Sequence, residues 1–190
     1  GGGVRLEGGG TVSDCTIRGN YSLWDGGGVS CRSPGSRVEG CTIIGNETDG
    51  NGGGVYCEGW GVISDCIIRA NTSTNGMGGE GGGVYCTQYG RIEGCLVSGN
   101  RANAGGGVYC REGGCVEWSV IEKNMLTPGT GPGGGVFCEG DGRVSHCRIE
   151  RNICTTLGGG VFLQTDGEVV NSLIVRNVGG DEGGGLALKK

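Results

Sequence analysis

The stretch Gly81-Gly82-Gly83-Val84-Tyr85-Cys86 decides the fold because it returns, as Gly-Gly-Gly-Val-aromatic-Cys, at 52–57, 105–110 and 133–138. Looser versions stand at 1–6, 26–31, 158–163 and 183–188, so the triple glycine begins at 1, 26, 52, 81, 105, 133, 158 and 183. The steps run from 24 to 29 residues. A period of this size marks a repeat architecture in which each period is one supersecondary unit.

With the first glycine of each triplet numbered zero, position +3 is Val4, Val29, Val55, Val84, Val108, Val136, Val161 and Leu186. Position +5 is Leu6, Cys31, Cys57, Cys86, Cys110, Cys138, Leu163 and Leu188. Apolar residues two apart predict a strand with one buried face. A glycine-rich turn follows, as in Glu58-Gly59-Trp60-Gly61 or Glu139-Gly140-Asp141-Gly142. Allowing for one inserted residue at 33–36, position +11 (Val12, Val38, Ile63, Ile92, Val116, Val144, Val169) opens a second strand. Position +13 is Asp14, Gly40, Asp65, Gly94, Trp118, His146 and Asn171, mostly residues that tolerate a left-handed backbone and suit a one-residue corner. Apolar +14 and +16 then make a third strand.

Position +19 is asparagine in all seven complete repeats, and from there to the next triplet the chain varies from four residues (101–104) to nine (72–80). Insertions therefore gather at one corner. The pattern predicts an all-β parallel solenoid of about seven coils with three short strands per coil, a single domain over 1–190. Seven coils at about 4.8 Å each predict a rod roughly 34 Å long. The chain opens and closes inside the repeat, so it is expected to be a piece of a longer solenoid whose uncapped ends offer edges for end-to-end association.

Glycine is 49 of 190 residues, but the spacing lacks the every-third-residue period of collagen, and the excess belongs to turns. A formal net charge of −5 argues against nucleic acid as a partner, since neutralising phosphates needs clustered Lys and Arg. No apolar run is long enough to insert this segment in a membrane, and no signal peptide is legible.

The asparagine column, Asn20, Asn46, Asn71, Asn100, Asn124, Asn152 and Asn177, predicts a structural ladder of amides bonded to backbone and to the next coil. Asn20, Asn46 and Asn71 also match glycosylation acceptors, an amide use that a ladder excludes. Ten of the twelve cysteines fall into two columns, at +5 and +14, without the close pairs of a zinc site, so neither a metal nor a cofactor is expected. Reduced, stacked thiols are the expectation, apart from Cys110 and Cys115, which a short turn could bring within disulfide range. Position +4 carries Tyr56, Tyr85, Tyr109, Phe137 and Phe162, which alternation points outward as one stripe. Such a stripe either binds sugar rings or a partner's edge, or stacks on itself and stabilises its sheet.

Gly-Gly-Gly-Val-Tyr-Cys followed by Ile63-Ser-Asp-Cys-Ile-Ile-Arg-Ala-Asn71 resembles the right-handed parallel β-helix repeats of the pectin-lyase-like superfamily. The pattern is most similar to the bacterial surface and autotransporter-passenger type, including the chlamydial polymorphic outer-membrane proteins. The resemblance implies the handedness of the helix and an extracellular or cell-surface location. It does not fix an activity, because that superfamily includes lyases, hydrolases, tailspikes and adhesins.

Catalysis would need converging acids. Adjacent-coil carboxylates occur in Glu93 with Glu117 and Glu122 with Glu150, with an expected separation of about 5 Å that suits a retaining glycosidase. Arg91 and Arg143 lie close by, and the superfamily's polygalacturonase signatures are absent. The only histidine, His146, sits at a corner. The sequence thus favours a structural and interaction protein, a secreted or surface β-helix stalk presenting a long face and variable loops to a polysaccharide or a surface protein. A carbohydrate-active enzyme is the alternative.

Overall fold

A computed structural model of the chain describes residues 1–74, 78–180 and 182–189. Its 27 strands, every pairing parallel, form a stacked solenoid of four sheets. The first sheet has eight strands, one after each triplet, from Val4–Leu6 to Leu186–Lys189. Two seven-stranded sheets follow around the coil, beginning at Gly10–Ser13 and at Thr16–Arg18.

The register is set by the columns read from the sequence: Val84 pairs with Val108, Tyr85 with Tyr109 and Cys86 with Cys110. Positions +3, +5, +11 and +16 fill the interior, where Val55, Cys57, Ile63 and Ile68 are wholly buried. Each side chain packs on its equivalent one coil away, so the core is a set of stripes rather than a centre. The +13 corner is left-handed as expected, with positive φ at Asp14, Gly40, Asp65, Gly94, Trp118, His146 and Asn171.

Three strands recur in every complete coil, and the first five coils add a fourth. A fourth sheet of five two-residue strands, Tyr21–Ser22, Glu47–Thr48, Thr72–Ser73, Arg101–Ala102 and Met125–Leu126, follows the asparagine column. Its inward column is Ser22, Thr48, Ser73, Ala102 and Leu126, too short and too mixed to show alternation. A second left-handed corner precedes each asparagine, at Gly19, Gly45, Ala70, Gly99, Lys123, Arg151 and Arg176.

The asparagines run between these features as a continuous chain. Asn71 Nδ2 donates to Asn100 Oδ1 and to the Ile43 carbonyl, both at 3.0 Å, and its backbone N–H reaches Asn100 Oδ1 at 2.9 Å. The same three bonds recur from Asn46 and Asn124. Both amide hydrogens of Asn46 and Asn71 are committed, which leaves neither nitrogen free for a sugar.

All twelve cysteines are free thiols. No disulfide joins Cys110 to Cys115, because Cys110 is buried in the +5 column while Cys115 stands in an outward column between Arg91 and Arg143. The +14 column is a hydrogen-bonding column as well as an apolar one. Cys66 Sγ donates to the Ser64 carbonyl and accepts from the Cys41 N–H, and Ser119 Oγ makes the equivalent pair with Glu117 and Cys95. Serine replaces cysteine there because it keeps both bonds.

A hydrogen bond with the neighbouring thiol, then burial, pushes Cys31 and Cys110 well above the ordinary thiol range, and burial pushes Cys147 up to about 11. A thiol raised on folding keeps its proton longer in the native state, so its contribution to stability is intact below the unfolded value of about 8.5 and is lost as pH rises through the folded value. The urea midpoint is therefore expected to hold steady up to about pH 8 and to fall above it. A midpoint that rises between pH 9 and 11 would contradict thiol burial. Thiol-reagent titration at neutral pH should find exposed Cys15 at once, half-buried Cys115 slowly, and the ten buried cysteines only after denaturation.

Candidate functional site

The +4 aromatics occupy one stripe on the outer side of the first sheet. Tyr56 and Tyr85 stack with centroids 5.3 Å apart, as do Tyr85 and Tyr109, while Phe137 meets Tyr109 and Phe162 edge-on at 4.6 and 5.1 Å. The expected exposure of this stripe is not found. Tyr85, Tyr109, Phe137 and Phe162 are 3–6% exposed, and only Tyr56 is half-buried. Ala104 and Leu157, from the variable corner before the next triplets, pack into the same cluster. The corner that looked like a free loop thus roofs the stripe and makes it a second core.

Polar groups close the edges of that core. The Tyr109 hydroxyl donates to Glu139 Oε2 at 2.7 Å, and the Arg32 guanidinium lies 5.0 Å above the Tyr56 ring. Burial, with the Glu139 hydrogen bond second, raises the Tyr109 phenol above its ordinary value. Burial, then the Glu139 charge, raises the Glu80 carboxyl. Tyr109→Ala empties a site packed from both neighbouring coils and is expected to cost about 3 kcal/mol in urea denaturation. A loss under about 1 kcal/mol would mean that the roof does not seal the stripe.

The four carboxylates that could have served catalysis are each engaged. Glu93 and Glu117 are register partners, and Arg91 Nη2 bridges them at 3.2 and 2.9 Å. Ser145 Oγ donates to the other Glu117 oxygen at 3.1 Å. Glu122 pairs with Lys123 at 3.1 Å, and Glu150 with Arg148 at 2.8 Å. The Arg148 hydrogen bond lowers the Glu150 carboxyl, the opposite of what a general acid requires. His146 stacks on exposed Trp118 at 4.0 Å and meets the Asn171 amide at 3.3 Å, a corner contact.

Two aromatic side chains that face solvent together lie in the glycine-rich turn between the first and second sheets. Trp60 and Tyr89 occupy position +8 on consecutive coils, 64% and 55% exposed, with rings stacked at 5.0 Å and 27°. This turn is held tight against the thiol column: a Cβ at Gly61 or Gly90 would lie 2.2 Å from the sulfur of Cys57 or Cys86. Bonds from Trp60 N–H to the Gln88 carbonyl and from Tyr89 N–H to the Glu112 carbonyl stack the turns in register. Beside Tyr89 opens a cleft of about 470 Å³ lined by Tyr89, Arg111, Glu112, Glu139, Gly140, Asp141, Gln164 and Thr165. The sequence signal for the pair was the shared +8 offset, overshadowed by the longer +4 stripe.

Among the described residues no group of three or more His, Cys, Asp or Glu is placed to hold a metal ion. The family model for a right-handed β-helix region matches residues 1–117, and the chain belongs to that family. The same columns continue beyond the match, with Val116 paired to Val144 and Val144 to Val169. Comparison with curated proteins and with solved structures gives no match.

Proposed function

We propose that the chain is an interaction solenoid, secreted or displayed on a cell surface in the manner of an adhesin, which binds its partner along the turn edge without chemical turnover. The observation that carries this reading is the exposed Trp60 and Tyr89 pair standing beside an open cleft. Aromatic rings left in water on a rigid, repeated scaffold offer flat apolar area at little entropic cost, a feature of recognition surfaces. The carboxylate pairs support the same reading, because each carboxylate is already engaged by Arg91, Lys123 or Arg148.

A reducing-end assay over a broad polysaccharide panel tests the absence of turnover. The expected result is no product above background. Product formation that disappears in Glu117→Gln would replace this proposal with a carbohydrate-active enzyme.

A further inference from the structure

We infer that the cleft beside Tyr89 is a subsite for a ring of an uncharged hexose oligosaccharide, which lies against Tyr89. The inference rests on the proposed interaction role and names its ligand. The +8 column runs Gly9, Pro34, Trp60, Tyr89, Gly113, Asp141 and Asp166, so the ladder of rings spans only two coils. At Gly113 the Tyr89 ring leans over bare backbone: a Cβ there would lie 2.5 Å from Tyr89 Cδ1 and Cε1. The Tyr89 ring thus takes the space of a side chain at Gly113, and the cleft opens beside it, with Tyr89 as one wall and Gly140, Asp141 and Thr165 among the others. Its volume of about 470 Å³ falls in the range of about 300–1,000 Å³ usual for small-molecule clefts.

The polar lining selects the kind of sugar. Three carboxylates, Glu112, Glu139 and Asp141, face one guanidinium, Arg111, a formal charge of −2. Arg111 is itself held 3.6 Å from Glu112 and 3.5 Å from Glu139, so it is not free to clamp a ligand's carboxylate. A uronate or sulfated chain meets repulsion here. Hexose hydroxyls instead find carboxylate acceptors, with Gln164 and Thr165 supplying both donors and acceptors, while the apolar face of the sugar ring covers Tyr89.

Calorimetry and affinity electrophoresis on the intact chain, using tetrameric β-glucan, mannan and galactan beside oligogalacturonate, test the assignment. At least one neutral tetramer is expected to bind and oligogalacturonate is not, at low and at moderate salt. Tyr89→Ala should weaken that binding about tenfold, Tyr89→Phe should restore it, and Trp118→Ala, an exposed aromatic on another corner, should leave it unchanged. Tyr89 is a surface residue, so urea denaturation of each variant should match the parent. Preference for oligogalacturonate, equal effects at Tyr89 and Trp118, or no binding of any neutral tetramer would each overturn the inference. None of these outcomes bears on turnover, which the reducing-end assay decides separately.

Discussion

Gly82→Ala is expected to cost more than about 4 kcal/mol and to leave little folded solenoid, while Gly99→Ala should fold with a loss of about 1 kcal/mol. The two glycines stand at opposite ends of one physical scale. A Cβ at Gly82 would lie 2.5 Å from the carbonyl oxygens of Arg101 and Gly106. Both are backbone atoms, one on the strand after the asparagine column and one on the neighbouring triplet, so neither moves without breaking a ladder. Gly53 and Gly106 meet the equivalent walls, Gly82 O and Thr72 O at 2.4 and 2.6 Å, and Gly134 O and Met125 O at 2.5 and 2.7 Å. The middle glycine is therefore required by contact rather than by conformation. At Gly99 the reverse holds: φ is +62° and nothing lies within 4 Å, so alanine meets only the left-handed backbone cost. Urea denaturation of both variants measures the difference. A Gly82→Ala protein within about 1 kcal/mol of the parent would show that the triplet does not mark a close approach of chains.

That contact explains why the fold was so readable. A solenoid repeats its constraints at fixed offsets, and the glycine triplet, the valine at +3, the left-handed corner at +13 and the asparagine at +19 each recur because the same atoms meet in every coil. The fourth sheet escaped because two residues cannot display a period of two, and because Ser22, Thr48, Ser73, Ala102 and Leu126 share burial without sharing polarity.

The functional surface was harder to read for a different reason. Alternation along a strand states which side of the sheet a residue takes, and Tyr85, Tyr109, Phe137 and Phe162 do lie opposite Val84 and Cys86. Alternation does not state whether another segment covers that side. The covering segment is the one whose length varies from coil to coil, and only the three-dimensional path of Ala104 and Leu157 shows that it folds back. The exposed pair at +8, by contrast, sits in a turn, where no periodic argument applies and where two rings in a column of seven residues carry little weight beside a stripe of five. The carboxylate pairs illustrate the complement. Their register was correctly placed by the repeat, but the bridging of Glu93 and Glu117 by Arg91 is a matter of rotamers.

Asn100→Ala is expected to cost about 4 kcal/mol, against about 1 kcal/mol for Asn20→Ala, although the two residues hold the same offset in the repeat. Asn100 is wholly buried, and its Oδ1 accepts from the Asn71 N–H at 2.9 Å and from Asn71 Nδ2 at 3.0 Å. Its own Nδ2 donates to the Ile68 carbonyl and to Asn124 Oδ1, both at 3.0 Å. Truncation strands two buried groups, the Asn71 N–H and one Asn71 amide hydrogen, and takes a second donor from the Ile68 carbonyl, which the parallel ladder still engages. At roughly 1–3 kcal/mol for each unsatisfied group, the sum is several kilocalories before any cavity is counted. Asn124 Oδ1 is spared, since the Asn100 backbone N–H still donates to it at 2.9 Å. Asn20 is only half-buried, and its side chain gives a single bond, Nδ2 to Asn46 Oδ1 at 3.0 Å, which the Asn20 backbone N–H duplicates. Its removal therefore strands nothing that is deeply buried. Comparing the two variants by urea denaturation, with slopes checked for equality, separates the chained bonds of the ladder from the intrinsic preference of the corner for asparagine. Equal losses at the two positions would assign the column to local turn preference and remove the ladder from the account of what holds the coils together.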